Sequence, residues 1–176
     1  PRTVYNPHGF AFQMRASALR RGLYVALERL AGRWTEVLVA GCDGQKQLAL
    51  QHHVVPEERI AIIPNGIRAD EFRVAADRDA YRRALGLPTE ATLVGTVAAL
   101  TPQKGVAQLV RAAAAVHRER PRVHLAVAGH GPLLPQLRRL AESLQASEAI
   151  HFLGQRDDVP QFLAALDMFV LPSLWE

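Results

Sequence analysis

The sequence is short of three residue types, and each shortage excludes a class of protein. A single cysteine, Cys42, among 176 residues excludes a disulfide framework or a cysteine-rich metal site and favours a reducing compartment. Aromatic residues make up 6% of the chain, too few for a platform that stacks nucleic-acid bases, so we expect no nucleic-acid partner. Lys46 and Lys104 are the only lysines among 21 basic residues, and the arginines are scattered along the chain. The net charge of +4 suits phosphate-bearing small molecules or an anionic membrane surface.

Long apolar runs are also missing. No run approaches the roughly 18 uninterrupted apolar residues that a membrane-spanning helix needs. The hydrophobic fraction of 49% is nevertheless enough for a sizeable core. The chain opens without a methionine or a signal-peptide layout, and it stops at "FVLPSLWE", where a helix is expected to begin. We therefore expect it to be a fragment of a longer protein.

Apolar runs alternate with helical patterns along the chain. Runs such as "EVLVAG", "RIAIIP" and "VHLAVA" are continuously apolar, as strands covered on both faces are. Strands separated by helices indicate βαβ units and parallel sheets, which is an α/β fold. A polar, irregular stretch over residues 67–77 separates two α/β parts.

Residues 14–34 carry the clearest helical pattern. Apolar residues recur at helical spacing, and we expect this stripe to pack against the first α/β part. Its members are Leu19, Leu23, Leu27, Leu30 and Trp34. The basic residues of the same helix predict, in addition, a contact with anionic lipid. They are Arg15, Arg20, Arg21, Arg29 and Arg33.

The loops that follow the strands are the candidate binding segments, because ligands of open α/β sheets lie outside the carboxyl ends of the strands. In "LTPQKG", Lys104 is either a solvated loop lysine or a phosphate ligand. In "AGHGP", Gly129 and Gly131 form either an ordinary turn or a close backbone approach to an anion at a helix N-terminus. In "LGQRDDV", Asp157 or Asp158 caps the next helix, or the loop backbone reads a nucleobase edge.

Three further polar positions admit two interpretations each. Glu176 is either a first-turn glutamate or a carboxylate that grips sugar hydroxyls. His8, beside a glycine, is either a structural or exposed histidine or part of a site. Asp77-Arg78-Asp79 mimics a metal-binding Asp-x-Asp motif, but we interpret Asp77 as a helix cap. The histidines show no metal-ligand spacing, so no metal is expected.

The order of these segments resembles one family. The segments "NPHGFAF", "PEERIAIIPNGI", "YRRALGLP", "VGTVAALTPQKG", "VAGHGPLLPQLRRLA" and "IHFLGQRDDVPQFLAALDMFVLPSLWE" together resemble the bacterial group 1 (family 4) retaining glycosyltransferases of GT-B architecture. The resemblance implies two Rossmann-like domains with a nucleotide sugar in the cleft. Residues 1–66 would be the last portion of the N-terminal, acceptor-side domain. Residues 67–176 would be the first portion of the C-terminal, donor-binding domain.

The resemblance also implies an activity. The full-length protein would move a hexose from a nucleotide diphosphate sugar to a glycan or lipid-linked acceptor hydroxyl with retention, in the synthesis of cell-surface glycans such as lipopolysaccharide. It would act in the cytoplasm or at the inner face of the membrane, without a cofactor. A degenerate, non-catalytic nucleotide-sugar-binding domain and a GT-B sugar-nucleotide 2-epimerase are the alternatives. The segments "PNGI" and "FLGQRDDV" argue against the epimerase.

Residue roles follow from the same resemblance. Lys104, with Gly105, would bind the donor diphosphate. The catalytic residues would be His8, near the reacting sugar carbon, and Glu176, which would hold the donor sugar and ribose. The expected nucleotide-binding residues are Gly129, Gly131, Gly154, Gln155 and Arg156.

The chain departs from the family pattern at two positions. The family usually has an arginine five residues before the lysine, where this chain has Ala99. A second diphosphate-binding group is therefore missing from its usual place. The family also often has an acidic residue where this chain has His130.

Overall fold

The computed structural model describes residues 2–14, 16–74 and 77–175 and divides the chain into two compact units between Ile67 and Arg68. Both units are α/β with parallel strands, so the predicted fold class is confirmed. The strands are β1 (Val4–Tyr5), β2 (Val37–Ala40), β3 (Ile60–Ile62), β4 (Thr92–Val97), β5 (Val123–Ala128), β6 (Ile150–Gly154) and β7 (Met168–Phe169). The helices are α1 (Ala18–Gly32), α2 (Asp43–Gln51), α3 (Arg78–Ala84), α4 (Val106–Glu119), α5 (Leu134–Ser143) and α6 (Val159–Ala164). Within these described segments, no helix has the length and apolarity to cross a membrane.

The first unit is a three-stranded sheet in the order β1-β2-β3. Alternate β2 residues, Leu38 and Ala40, are fully buried and share one core with Ala49 of α2 and with Phe10 and Phe12 of the loop before α1. Both crossovers step in the same direction across the sheet, so right-handed connections put α1 and α2 on the same face.

The predicted burial of the apolar stripe on α1 is wrong. Leu19 is 86% exposed, Leu23 57% and Leu27 52%, and Leu30 and Trp34 are exposed as well. The opposite face of the helix packs, through Tyr24 and Val25, on the core of the first unit. Gly32 explains this choice, because a Cβ there would lie 1.8 Å from the Val54 carbonyl oxygen, a close approach that only glycine allows. The apolar stripe therefore faces away from the core.

The second unit is a four-stranded parallel sheet in the order β6-β5-β4-β7. Helices α4 and α5 cover one face around Leu109, Val110 and Leu137, while α3 and α6 cover the other face around Phe162. The strand order reverses direction between β4 and β7, which is the topological switch point of a Rossmann-type sheet. All four carboxyl ends lie at one edge, so the loops predicted to bind ligand share that edge.

A buried arginine ties α3 to the sheet. Arg82 is 1% exposed, and its guanidinium donates to the carbonyl oxygens of Thr89, Ala91 and Ala165 and, at 2.8 Å, to Asp167 Oδ2. The Asp167 carboxylate also accepts hydrogen bonds from Arg78 and from the Leu93 backbone N–H. Burial alone would raise the pKa of Asp167, but these hydrogen bonds outweigh it and lower the pKa to about 2. The network joins α3, β4 and the start of β7.

Asp77 is a helix cap, as predicted. Its carboxylate accepts hydrogen bonds from the backbone N–H groups of Asp79 and Ala80 at 3.1 and 2.9 Å. These two bonds satisfy donors that the first turn of α3 leaves unpaired.

Two histidines at the amino ends of β5 and β6 predict a loss of stability in acid. His124 Nδ1 lies 3.1 Å from His151 Nε2, so one ring donates a proton and the other accepts it. Burial, followed by the charge of a neighbouring protonated histidine, lowers the pKa of each ring. The unfolded chain binds protons near pH 6.5 and the folded chain binds them only at lower pH. Stability is therefore fully present above about pH 6.5 and declines as the pH falls below it.

The measurement is the free energy of unfolding in urea between pH 8 and pH 5. His151→Gln, which removes one titrating ring, should show a smaller decline than the wild type. His8→Gln, at an exposed histidine of the first unit, should keep the full decline. An unchanged decline in His151→Gln would contradict the assignment.

Candidate functional site

Lys104 lies in the loop that follows β4. A short 3-10 turn, Pro102–Lys104, leads into α4 through Gly105, whose φ of 62° is left-handed. The Leu174 N–H donates to the Gln103 carbonyl oxygen at 2.8 Å, so this turn is joined to the segment after β7. The turn thus holds the predicted lysine at the carboxyl edge of the sheet, next to the switch point.

The loop after β5 rests on the end of β4. Gly129 has a φ of 143°, and a Cβ there would lie 1.9 Å from the Ala98 carbonyl oxygen, so only glycine fits. The Leu100 N–H donates to the His130 carbonyl oxygen at 3.0 Å, and Gly131 packs against Leu100. These contacts fix the backbone of the Gly-His-Gly segment beside the loop of Lys104.

The loop after β6 contains an ion pair that sequence reasoning missed. Asp158 occupies the N-cap position of α6, but its side chain makes no capping bond, so the predicted cap is wrong for this residue. Its carboxylate instead accepts hydrogen bonds from Arg156 Nε at 2.8 Å and Nη2 at 2.5 Å, and from the Tyr81 hydroxyl at 2.9 Å. The hydrogen bond from Arg156 is the main cause that lowers the pKa of Asp158. Asp158 therefore holds Arg156 in one orientation, and the Tyr81 hydroxyl anchors Asp158 in turn.

The three loops enclose one pocket with a volume of about 520 Å³. It is lined by Val97, Ala98, Ala99, Lys104, Ala128, Gly129, His130, Gln155 and Arg156. Lys104, Gly129, Gln155 and Arg156 were predicted as site residues, and the fold brings these four together. Two permanent cations, Lys104 and Arg156, line the pocket, and Arg156 is paired with Asp158, which does not line it. Arginine and lysine side chains at such a pocket suit an anionic ligand.

The other predicted site residues are placed differently. Three predicted glycines do not line the pocket: Gly105, Gly131 and Gly154. The Gly154 carbonyl oxygen accepts a hydrogen bond from the N–H of Gly129, which does line it, at 2.7 Å. His8 belongs to the first unit, just after β1, where it is exposed and has a left-handed φ of 49°. Glu176 lies outside the described residues.

Comparison with known proteins identifies the family. The profile described as "Glycosyl transferases group 1" matches residues 77–176, more than half of the chain. The chain belongs to the group 1 glycosyltransferases. Within this family it is 30% identical, over its whole length, to an Escherichia coli protein named UDP-Gal:alpha-D-GlcNAc-diphosphoundecaprenol alpha-1,3-galactosyltransferase, of which it covers 46%.

Two solved structures are similar across both units. WaaG, described as a glycosyltransferase involved in lipopolysaccharide biosynthesis, matches 98% of the chain with a TM-score of 0.83 and 26% identity, over 50% of its own length. The Anabaena protein HepE, solved with UDP-glucose, matches 98% of the chain with a TM-score of 0.82 and 24% identity, over 47% of its own length. The chain thus spans about half the length of each of these three proteins.

Ala99 gives a prediction for donor affinity. It is exposed and lines the pocket beside Lys104, so its side chain points away from the core. We expect Ala99→Arg to tighten binding of a nucleotide diphosphate sugar by about 1–3 kcal/mol, the usual range for hydrogen bonds to charged groups. The gain should shrink at high salt, because part of it is Coulombic. Calorimetric titration of the full-length protein at two salt concentrations measures both effects.

Ala112→Arg is the matched control for this prediction. It adds the same charge on the exposed side of α4, outside the pocket, and should leave the affinity unchanged. Unchanged affinity in a folded Ala99→Arg protein would show that another basic residue already fills the role.

Proposed function

We propose that the full-length protein is a retaining hexosyltransferase that uses a nucleotide diphosphate sugar and acts in cell-surface glycan synthesis. The observation that carries the proposal is the pocket at the carboxyl edge of the second unit, where the basic side chains of Lys104, His130 and Arg156 converge. Membership of the group 1 glycosyltransferases supports the proposal that this pocket serves sugar transfer.

The proposed chemistry depends on charge that develops on the leaving group. As the bond between the sugar and the diphosphate breaks, negative charge grows on the diphosphate, and a fixed cation lowers the barrier. Lys104 supplies that cation, and Arg156, held by Asp158, supplies a second one nearby. With two side-chain cations at the pocket, the reaction is proposed to need no metal ion.

The anomeric configuration is retained when the acceptor hydroxyl attacks the sugar carbon from the same face of the ring that the diphosphate leaves. In this mechanism the departing phosphate oxygen takes the proton of the acceptor hydroxyl, so no separate carboxylate base is required. Glu176 is proposed to hold the donor sugar and ribose, and His8 to lie near the reacting carbon. The E. coli relative's name specifies a lipid-diphosphate acceptor, which supports a lipid-linked acceptor for this protein too.

The test is sugar transfer by the full-length protein. Radiolabelled UDP-glucose, UDP-galactose and GDP-mannose are each incubated with lipid extracts, with and without EDTA, and the anomeric configuration of the product is determined. Transfer with retention that survives EDTA is expected. Donor binding without transfer would indicate a non-catalytic binding domain, and conversion of the donor to its C2 epimer would indicate an epimerase. Residues 1–176 alone are expected to give no transfer, because the resemblance places half of the catalytic cleft elsewhere.

The exposed stripe of α1 is proposed to rest on an anionic membrane surface at the cytoplasmic face. The leucines that face away from the core are flanked on the helix by Arg20 on one side and by Arg29 and Arg33 on the other. Apolar residues enter the lipid interface while arginines meet the headgroups, each contributing about 1 kcal/mol near an anionic surface. Arg15, the fifth basic residue of the prediction, lies outside the described residues.

Vesicle sedimentation tests this contact. Full-length protein should sediment with phosphatidylglycerol vesicles at low salt and be released at high salt, and Leu23→Glu should reduce the bound fraction several-fold. Val116→Glu, at an exposed apolar residue of α4, is the matched control and should bind like the wild type. Salt-independent or absent binding would leave the stripe without a role at the membrane.

A further inference from the structure

A second hollow, of about 510 Å³, lies in the first unit, and four of its eight lining residues are basic. Arg29 and Arg33, near the end of α1, face it together with His53, which follows α2, and Arg59, which precedes β3. Its other walls are apolar or backbone, from Gly32 and the segment 54–56. Arg59 precedes β3, so the hollow lies toward the amino ends of the strands, opposite the edge used by ligands of such sheets.

The charges of this hollow are not balanced by carboxylates. Among the described residues, no aspartate or glutamate lines it, and none forms an ion pair with Arg29, Arg33 or Arg59. Of the two acids just before Arg59, Glu57 pairs with Lys46 at 2.8 Å, and neither lines the hollow. Three like charges around one concavity repel one another, and an anion between them relieves this repulsion.

Backbone contacts orient two of the guanidinium groups. Arg29 Nε donates to the His52 carbonyl oxygen at 2.7 Å, and Arg59 Nη1 donates to the Thr35 carbonyl oxygen at 3.3 Å. Each of these bonds uses one N–H of a guanidinium that has five, so several donors remain for a ligand. Groups held in place before binding lose less entropy when a ligand arrives.

The turn that presents His53 is strained. His53 has a φ of 50°, which is left-handed and uncommon for a residue with a side chain. The Val54 N–H donates to the Ala49 carbonyl oxygen at 2.9 Å and holds this turn at the end of α2. With the bond from the His53 N–H to the Leu50 carbonyl oxygen, this is the Schellman turn that ends α2, and it sets the imidazole at the wall of the hollow.

We infer that this hollow binds a phosphate-bearing anion, with Arg29, Arg33 and Arg59 as its ligands and His53 as an additional donor. The planar fork of arginine matches the oxygens of phosphate, which is why arginine clusters select it. The volume exceeds that of a bare phosphate, so a substituted phosphate fits. A lipid headgroup and a free phosphorylated metabolite share this chemistry, and the site is separate from the proposed donor pocket.

Titration of the full-length protein with inorganic phosphate tests the site. Arg33→Gln and Arg59→Gln should each weaken binding about tenfold or more, because each removes a charge-assisted contact. Arg33→Lys, which keeps the charge but not the fork, should fall between Arg33→Gln and the wild type. Arg111→Gln, an exposed arginine of α4, is the matched control and should bind as the wild type does.

Two comparisons separate this site from the donor pocket. Lys104→Ala should retain the phosphate binding that depends on Arg33, and Arg33→Gln should retain the affinity for UDP-glucose or GDP-mannose. Phosphate affinity that is unchanged in both Arg33→Gln and Arg59→Gln would overturn the inference. An equal loss in Arg111→Gln would overturn it as well, because net charge alone would then explain the binding.

Vesicles distinguish the two sources of the phosphate. Wild-type protein and Arg59→Gln, whose substitution lies outside α1 and its proposed membrane contact, are sedimented with phosphatidylcholine vesicles that do or do not contain phosphatidic acid. If the variant loses binding to phosphatidic acid about as strongly as it loses inorganic phosphate, the ligand is a lipid headgroup. If the variant binds vesicles normally but not inorganic phosphate, the ligand is a free phosphorylated molecule.

Discussion

Lys104→Ala is expected to weaken binding of UDP-glucose, or of the donor that the transfer assay identifies, by about 10- to 100-fold. The physical reason is local. The fold places Lys104 in one pocket with Arg156, where we propose that its ammonium group meets the two phosphates of the donor. The free nucleoside carries no phosphate, so its affinity should not change. Calorimetric titration of both ligands gives the difference that reports on the phosphate contact alone.

The chain offers a well-matched control for this variant. Lys46 is the only other lysine and belongs to the first unit, where it pairs with Glu57 at 2.8 Å. Lys46→Ala removes the same charge from the protein and should leave donor binding intact. If Lys104→Ala weakened the nucleoside as much as the nucleotide sugar, the lysine would be supporting the pocket rather than binding phosphate.

Arg82→Ala is expected to reduce the stability of the second unit by about 3–5 kcal/mol. The substitution removes a buried side chain whose guanidinium donates to three carbonyl oxygens and to Asp167. The three carbonyl oxygens lose this donor, while Asp167 keeps its bonds from Arg78 and from the Leu93 N–H. Arg82→Lys keeps the charge but cannot reach all four acceptors, so it should lose less. Hydrogen exchange of the β4 amides reports on this unit directly, even if the two units unfold separately.

Arg83→Ala is the matched control on the same helix. Arg83 is the next residue of α3 and is exposed, so its removal should change stability by no more than about 0.5 kcal/mol. Combining Arg82→Ala with Asp167→Asn should cost less than the sum of the single changes, because the two residues share one network. A loss below about 1 kcal/mol for Arg82→Ala would show that the backbone acceptors find other partners.

Much of the second unit could be predicted from the sequence. The apolar run "VHLAVA" coincides with β5, Val123–Ala128, and the predicted alternation of strands and helices holds through this unit. The shared edge of the loops follows from one rule, since parallel strands present all their carboxyl ends on the same side. Lys104, Gly129, Gln155 and Arg156 therefore come together without any knowledge of long-range contacts.

The side-chain networks could not be predicted in this way. The sequence predicts Asp158 as a candidate helix cap, but its carboxylate accepts hydrogen bonds from Arg156 and from Tyr81, which is 77 residues earlier in the chain. Nothing in the local sequence distinguishes Arg82 from the other helical arginines, but it is buried and bonded to Asp167, 85 residues away. Such partners are neighbours only after the strands pair, and no local pattern marks them.

The sequence by itself determined the alternation of strands and helices, the two parallel sheets and the edge at which the loops meet, because these depend on local periodicity and on the geometry common to all parallel sheets. Only the tertiary structure decided which face of α1 is buried. Leu19, Leu23 and Leu27 form the more apolar face, but the helix packs through Tyr24 and Val25. Periodicity reveals an apolar face, whereas burial requires a complementary surface, and the contact of Gly32 with Val54 fixes that surface on the other side of the helix.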